Sequence, residues 1–168
     1  MTWPTGRSRD GGIDEIPLPR SSGRLWLCGK HVVGPDPEAA LARVGAGVLV
    51  CLTQADELND RYPDYVGWLR ANLGSRAMWL PIDDLHAPTV ERAALFIDDL
   101  VARLDGGEAL VMHCAAGIGR TGTMAVGVLL AMRMTLDDAL AHVAAHRPMA
   151  GPEVGAQRTL VEALARRA

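Results

Sequence analysis

Val48-Leu-Val-Cys-Leu52 is apolar at every position. A strand with one wet face alternates apolar and polar residues, so a run that is apolar throughout reads as a strand buried on both faces, the situation of a parallel sheet covered by helices. Ala109 to His113 reads the same way, Arg24 to Cys28 is a short apolar strand closed by Gly29, and Ala77 to Ile82 is another. Helical segments separate these runs. Asp36, with Pro37 at the first helical position, opens a helix that lasts to about Val44 before Gly45 and Gly47 break it, and a second helix covers Pro63 to Leu73. From Thr89 to Leu104 apolar residues recur at Ala93, Phe96, Ile97, Leu100, Val101 and Leu104, a helical period with Thr89 as N-cap and Gly106 beyond the end. Thr121 to Met132, Leu136 to His146 (capped by Thr135) and Pro152 to Arg166 read as three further helices. The pattern predicts an α/β fold, one central and mostly parallel sheet of about four to five strands flanked by helices on both faces, with ligands beyond the C-terminal strand ends.

At 168 residues the chain is one domain's worth. Residues 1–23, rich in Gly, Pro, Arg and Ser, predict an irregular N-terminal arm, and 24–168 the folded domain. No apolar run reaches the ~18 to 20 residues of a membrane span, and the start of the chain has no signal-like apolar core. The expectation is therefore a cytoplasmic protein without membrane insertion; the sequence leaves the oligomeric state open, a monomer being the default. A net charge of −3 with scattered basic residues argues against nucleic acid as a partner. Of the 17 basic residues only Lys30 is Lys, the rest being Arg. Three cysteines, Cys28, Cys51 and Cys114, are an odd and widely spaced set that fits neither a disulfide framework nor a zinc knuckle.

The chemistry concentrates in Val111-Met-His-Cys-Ala-Ala-Gly-Ile-Gly-Arg-Thr-Gly122, a strand that enters a Gly-rich loop and then a helix. Successive N–H groups in such a loop point inward, and the helix N-terminus adds about half a positive charge, so Ala115, Ala116, Gly117, Ile118, Gly119 and Arg120 form an anion cradle. Cys114 lies beneath it and the Arg120 fork at its rim. A thiol among inward N–H groups and an Arg is driven toward the nucleophilic thiolate, and the same donors hold the equatorial oxygens of a phosphoryl group in an in-line displacement. That chemistry calls for no cofactor and no metal. The Thr121 hydroxyl is placed to donate to the sulfur, and His113 to fix the loop through a backbone hydrogen bond.

The His-Cys-x5-Arg-Thr-Gly pattern resembles the signature of cysteine-dependent protein tyrosine and dual-specificity phosphatases. Val48 to Leu58 and Pro81 to Pro88 resemble the kinase-associated-phosphatase-like and bacterial members, and Arg147 to Gln157 the segment that follows the signature loop in dual-specificity enzymes. The resemblance runs from about Leu25 to Leu164, so 24–168 would be a phosphatase catalytic domain. It implies phosphoprotein hydrolysis through a cysteinyl-phosphate, phosphotyrosine first and phosphoserine or phosphothreonine also open. A leaving oxygen needs a proton from an acid on a loop. The family's Pro-x-x-Asp pattern places that acid at Asp84, with Asp83 the second choice. Gln157 falls near a family residue that positions water. Cys51, otherwise a buried strand thiol, is a candidate resolving partner for oxidised Cys114, as in some members.

Other readings are weaker. Gly117-Ile-Gly-Arg-Thr-Gly122 also fits the dinucleotide fingerprint, but no strand ending in Asp or Glu follows about 20 residues on. An inactive phosphopeptide-binding module is disfavoured because every catalytic role has a candidate. Phosphoinositide enzymes of this superfamily carry lysines in the loop, where this chain has Ala115, Ala116 and Ile118, which favours a phosphorylated protein as substrate. His142 and His146, four apart, lack a third ligand and read as a solvated helix face.

Overall fold

A computed structural model describes residues 7–153 and 155–168. The chain opens with β1 (Ile13–Ile16), which turns back into β2 (Arg24–Gly29). Helices α1 (Lys30–Val33) and α2 (Pro37–Val44) lead to β3 (Val48–Cys51), α3 (Asp56–Asn59) and α4 (Pro63–Asn72) to β4 (Ala77–Trp79), and α5 (Val90–Asp105) to β5 (Ala109–Cys114). Then come α6 (Gly119–Ala131), α7 (Leu136–His146) and α8 (Gly155–Arg167).

The sheet order is β1-β2-β5-β3-β4. β2, β5, β3 and β4 run parallel, and β1 pairs antiparallel with β2. One face packs on α5, α6, α7 and α8 through residues such as Ile97, Leu100, Val128, Val143 and Leu160. The other packs on α1, α2, α3 and α4 through Val33, Leu41, Leu58, Tyr65 and Leu69. Every residue of β3 is buried, as its unbroken apolar run predicts. Every residue of α6 from Gly119 to Leu130 is buried, so this helix runs through the core with no wet face. Each fully buried Leu or Val here contributes about 1.5–3 kcal/mol. Asp36, Thr89 and Thr135 accept from the backbone N–H of Ala39, Arg92 and Asp138, three N-caps of about 1 kcal/mol each.

Four expectations shift. The N-terminal arm is not wholly irregular: Ile13–Ile16 is an edge strand, and positions 1–6 lie outside the described residues. β4 ends at Trp79, because Pro81 has no N–H to give, yet Leu80 and Ile82 still donate to the carbonyls of Cys51 and Leu52. The chain therefore runs alongside β3 to its C-terminal end and delivers Asp83 and Asp84 beyond the sheet. Helix α6 begins at Gly119, so Arg120 stands in its first turn. Helix α8 begins at Gly155 rather than Pro152, and position 154 lies outside the described residues. The Glu153 N–H is instead taken by the Oε1 of Gln157, 2.8 Å away.

Candidate active site

Cys114 ends the central strand, and the loop after it is shaped by what its carbonyls bind. His113 Nδ1 donates to Cys114 O (2.9 Å), and Lys30 N donates to Ala115 O (2.9 Å). Arg147 Nη2 donates to Ala116 O (2.9 Å) and its Nε to Gly117 O (2.7 Å). In a trans peptide the carbonyl of one residue and the N–H of the next point opposite ways. Four consecutive carbonyls held on the outside thus turn the N–H groups of Ala115, Ala116, Gly117 and Ile118 toward the inside. Gly117 sits at φ 73°, and a side chain there would run into the Cys28 carbonyl, so only glycine closes the loop.

Arg120 closes the rim and is almost wholly buried, with 2% of its side chain exposed. Its Nη1 donates to Glu57 Oε2 (2.8 Å) and Ile82 O (2.8 Å), its Nη2 to Glu57 Oε1 (2.9 Å), and Asp84 Oδ1 lies 3.3 Å from Nη2. Burial works against the charge on Glu57, but the Arg120 fork and the Gln54 N–H outweigh it and hold the carboxyl below its ordinary range. The guanidinium is therefore fixed before any ligand arrives, the preorganisation an oxyanion site needs.

Behind Cys114, Tyr65 donates its hydroxyl to His113 Nε2 (2.6 Å). Because Cys114 O can only accept, the proton is assigned to Nδ1. Burial lowers the His113 pKa to about 4, and burial raises that of Tyr65, so the pair stays neutral and its hydrogen-bond directions are fixed.

The two candidate acids part company. Asp83 Oδ1 accepts from Gln54 Nε2 (3.0 Å). The Asp84 side chain is 68% exposed and faces Arg120, with its Oδ1 also taking the Leu85 N–H (3.0 Å). Asp84, Leu85, Cys114, Ala115, Ile118 and Glu153 are among the residues lining a cavity of about 230 Å³. A larger depression of about 410 Å³ between α5, α6 and α8 holds no thiol or imidazole, so chemistry rather than size picks the site. Gln157 is buried and does not line the cavity; its Nε2 donates to His86 O (3.3 Å).

Two expected roles meet a different arrangement. Thr121 Oγ1 is buried without a hydrogen-bond partner, so the expected donation to the Cys114 sulfur is not made here; such bonds often tighten only when substrate is bound. Cys51 pairs in register with His113, the neighbour of Cys114, so alternation sends the Cys51 and Cys114 side chains to opposite sheet faces. Cys51 lies with Cys28 in the core cluster on the α4 side, while Cys114 belongs to the α6 side. His142 donates Nε2–H to Pro17 O (2.7 Å), and no cluster of metal-ligating side chains occurs among the described residues.

Sequence reasoning assigns no role to Glu57, Tyr65, Arg147 or Glu153. Glu57, Arg147 and Glu153 stand inside segments that carry the family resemblance, which was the available signal.

Residues 27–163 match the family described as PTP-SAK: Swiss Army Knife protein, DSP-PTPase phosphatase domain. The chain belongs to this phosphatase family. The phosphatidylinositol 3,4,5-trisphosphate 3-phosphatase and protein-tyrosine-phosphatase PTEN1 of Arabidopsis thaliana is 35% identical over 78 residues, 45% of this chain and 19% of that one. The chain spans 19% and 32% of the lengths of the two curated relatives it matches. The crystal structure of Tk-PTP in the active form is similar at a TM-score of 0.69 and 24% identity, covering 92% of this chain and 97% of that one. Kinase associated phosphatase with its catalytic site cysteine substituted by serine is similar at a TM-score of 0.75 and 18% identity, covering 93% and 94%. These two likenesses establish the DSP-like fold. No helix among the described residues is long and apolar enough to cross a membrane.

Proposed function

We propose that this phosphatase domain hydrolyses phosphomonoesters on protein side chains, phosphotyrosine first, through a cysteinyl-phosphate. The observation that carries this reading is the outward capture of four consecutive carbonyls, which leaves inward N–H groups between Cys114 and the fixed Arg120 fork. The Cys114 sulfur attacks phosphorus as the ester P–O bond breaks, and Asp84 gives its proton to the leaving oxygen. Water then attacks phosphorus as the P–S bond breaks, Asp84 takes a water proton, and inorganic phosphate leaves with the sulfur restored. During both displacements Arg120 and the N–H groups hold the equatorial oxygens.

Two features support a phosphoprotein over a polyphosphorylated headgroup. The loop places Ala115, Ala116 and Ile118 where extra phosphates would need cations, and the carboxylate of Glu153 stands at the cavity wall. The name of the Arabidopsis relative covers both substrate classes, so relatives do not choose between them. Rapid mixing with p-nitrophenyl phosphate tests the mechanism: a burst of p-nitrophenol is expected, abolished in Cys114→Ser. Binding of a phosphopeptide without turnover would instead mark an inactive module. Matched phosphotyrosine, phosphothreonine and inositide substrates test the class, and an inositide preference would overturn the phosphoprotein reading.

A further inference from the structure

Arg147 is fully buried, and its guanidinium joins the phosphate loop to a part of the chain that the family match does not include. Its Nε and Nη2 hold the carbonyls of Gly117 and Ala116. Its Nη1 turns the other way, to Asp14 Oδ2 (2.7 Å) on β1, to Gly12 O (3.3 Å) and, more distantly, to Leu27 O (3.4 Å). Burial lowers the pKa of this guanidinium, the nearby Arg7 charge adds to the fall, and Asp14 acts against both. Asp14 is also ion-paired with Arg7, whose Nε donates to Gly11 O (2.9 Å). The turn through Gly11 and Gly12 is left-handed, at φ 83° and 74°, which brings the Gly12 carbonyl round to Arg147.

We propose that Asp14 is a positioning residue of the phosphate site, acting through Arg147 on the Ala116 and Gly117 peptide planes. This role of Asp14 rests on the function proposed above and adds the N-terminal strand to its machinery. A buried guanidinium keeps its orientation where a carboxylate meets it squarely, and Asp14 is its ion-pair partner at 2.7 Å. Its remaining donors are then aimed at two carbonyls whose outward direction fixes the inward direction of the Gly117 and Ile118 N–H groups. Weakening the Asp14 end frees Arg147 to tilt, and the N–H groups that receive the anion tilt with it. The expected signature is loss of oxyanion affinity that does not depend on the leaving group, because no proton transfer is involved.

The experiment compares Asp14→Asn, Asp14→Glu and Glu15→Gln with the full-length wild type. Glu15 is the neighbour on the same strand and pairs with Arg24 on the protein surface (2.6 Å), so its substitution perturbs β1 without touching Arg147. Orthovanadate and inorganic phosphate are the probes, with p-nitrophenyl phosphate and phenyl phosphate as substrates, after thermal unfolding confirms that each variant is folded at the assay temperature. Asp14→Asn is expected to raise the inhibition constants of both anions about 10-fold, the lower end for lost outer-shell support, and to cut kcat/KM for the two esters by the same factor. Asp14→Glu should recover part of the loss, and Glu15→Gln should leave the constants unchanged. If Asp14→Asn does not fold, Asp14→Glu against Glu15→Gln carries the comparison. An active wild type with a fully vanadate-sensitive Asp14→Asn, or a Glu15→Gln that loses as much, overturns the proposal. A wild type that neither binds vanadate nor turns over removes the function on which it rests, and the proposal falls with it.

Discussion

The guanidinium of Arg120 and the carboxylate of Glu57 meet as a two-pronged pair, at 2.8 and 2.9 Å, across 63 residues of sequence. Arg120 follows the loop in the first turn of α6, while Glu57 is carried by the four-residue helix α3 just beyond β3. The Gln54 N–H and the Lys30 ammonium, on Glu57 Oε2 and Glu57 O, seat that short helix against the site. A rim arginine must face the phosphoryl oxygens in one plane, and the planar pair with Glu57 sets that plane in advance.

Replacing Glu57 by Gln keeps the shape and removes the charge. Hydrogen bonds to charged groups contribute about 1.5–3 kcal/mol, so kcat/KM is expected to fall about 10- to 100-fold, with vanadate inhibition weakening in parallel. Steady-state kinetics with vanadate titration checks this. Undiminished vanadate affinity would show that Arg120 needs no partner to hold its plane.

Asp84 and Asp83 are adjacent, yet only Asp84 faces Arg120 and lines the cavity, while Asp83 accepts from Gln54. Asp84→Asn is expected to cut kcat on aryl phosphates by ~10² to 10⁴, the loss growing as the leaving group becomes more basic. Asp83→Asn is expected to leave that dependence on the leaving group intact. A series of substituted phenyl phosphates reads both slopes, and the steeper slope in the Asp83 variant would exchange the two roles.

The four parallel strands, the long helices, the thiol and the arginine were legible because their signals are local. Runs such as Val48 to Leu52, the period through Ala93 to Leu104 and the spacing from His113 to Gly122 each lie in one stretch of chain. β1 was not legible, since Ile13-Asp-Glu-Ile16 has two acids in its middle and buries only Ile16 fully. The support of the site was illegible for another reason: Tyr65 reaches His113 across 48 residues, and Arg147 reaches Gly117 across 30. A polar side chain that finishes a site from that distance leaves no periodicity, and only the folded sheet brings it into place.

Buried His113 makes the fold acid-sensitive in a defined window. Its ordinary pKa of 6.5 drops to about 4 in the folded protein because burial disfavours the cation. Between those values the unfolded chain binds a proton that the folded chain refuses, so stability falls as pH falls from 6.5, by about 3 kcal/mol when pH 4 is reached. Glu57, held below its ordinary 4.5, adds its own loss as pH falls through that value and below. Urea midpoints at pH 7.0 and 5.0 should therefore differ in the wild type and differ less in His113→Gln. Equal differences in the two proteins would place the acid sensitivity elsewhere.

Cys51 bears on oxidation of the site. Burial raises its thiol to a pKa of about 11 despite the hydrogen bonding with Thr53, whose Oγ1 lies 3.1 Å from the sulfur. At pH 7 the thiolate fraction is then on the order of one in 10⁴, and the strand alternation turns it from the face that holds Cys114. Resolving a Cys114 sulfenic acid requires the Cys51 thiolate to attack that sulfur with loss of hydroxide, and both the population and the direction of the nucleophile oppose it. Dilute peroxide is expected to convert Cys114 to sulfinic and sulfonic acids, with no Cys51–Cys114 linked peptide in the mass spectrum. Cys51→Ser should inactivate at the wild-type rate and recover no less activity with a thiol reductant. A linked peptide in high yield, lost together with recovery in Cys51→Ser, would mean that the loop rearranges far enough on oxidation to bring the two faces together.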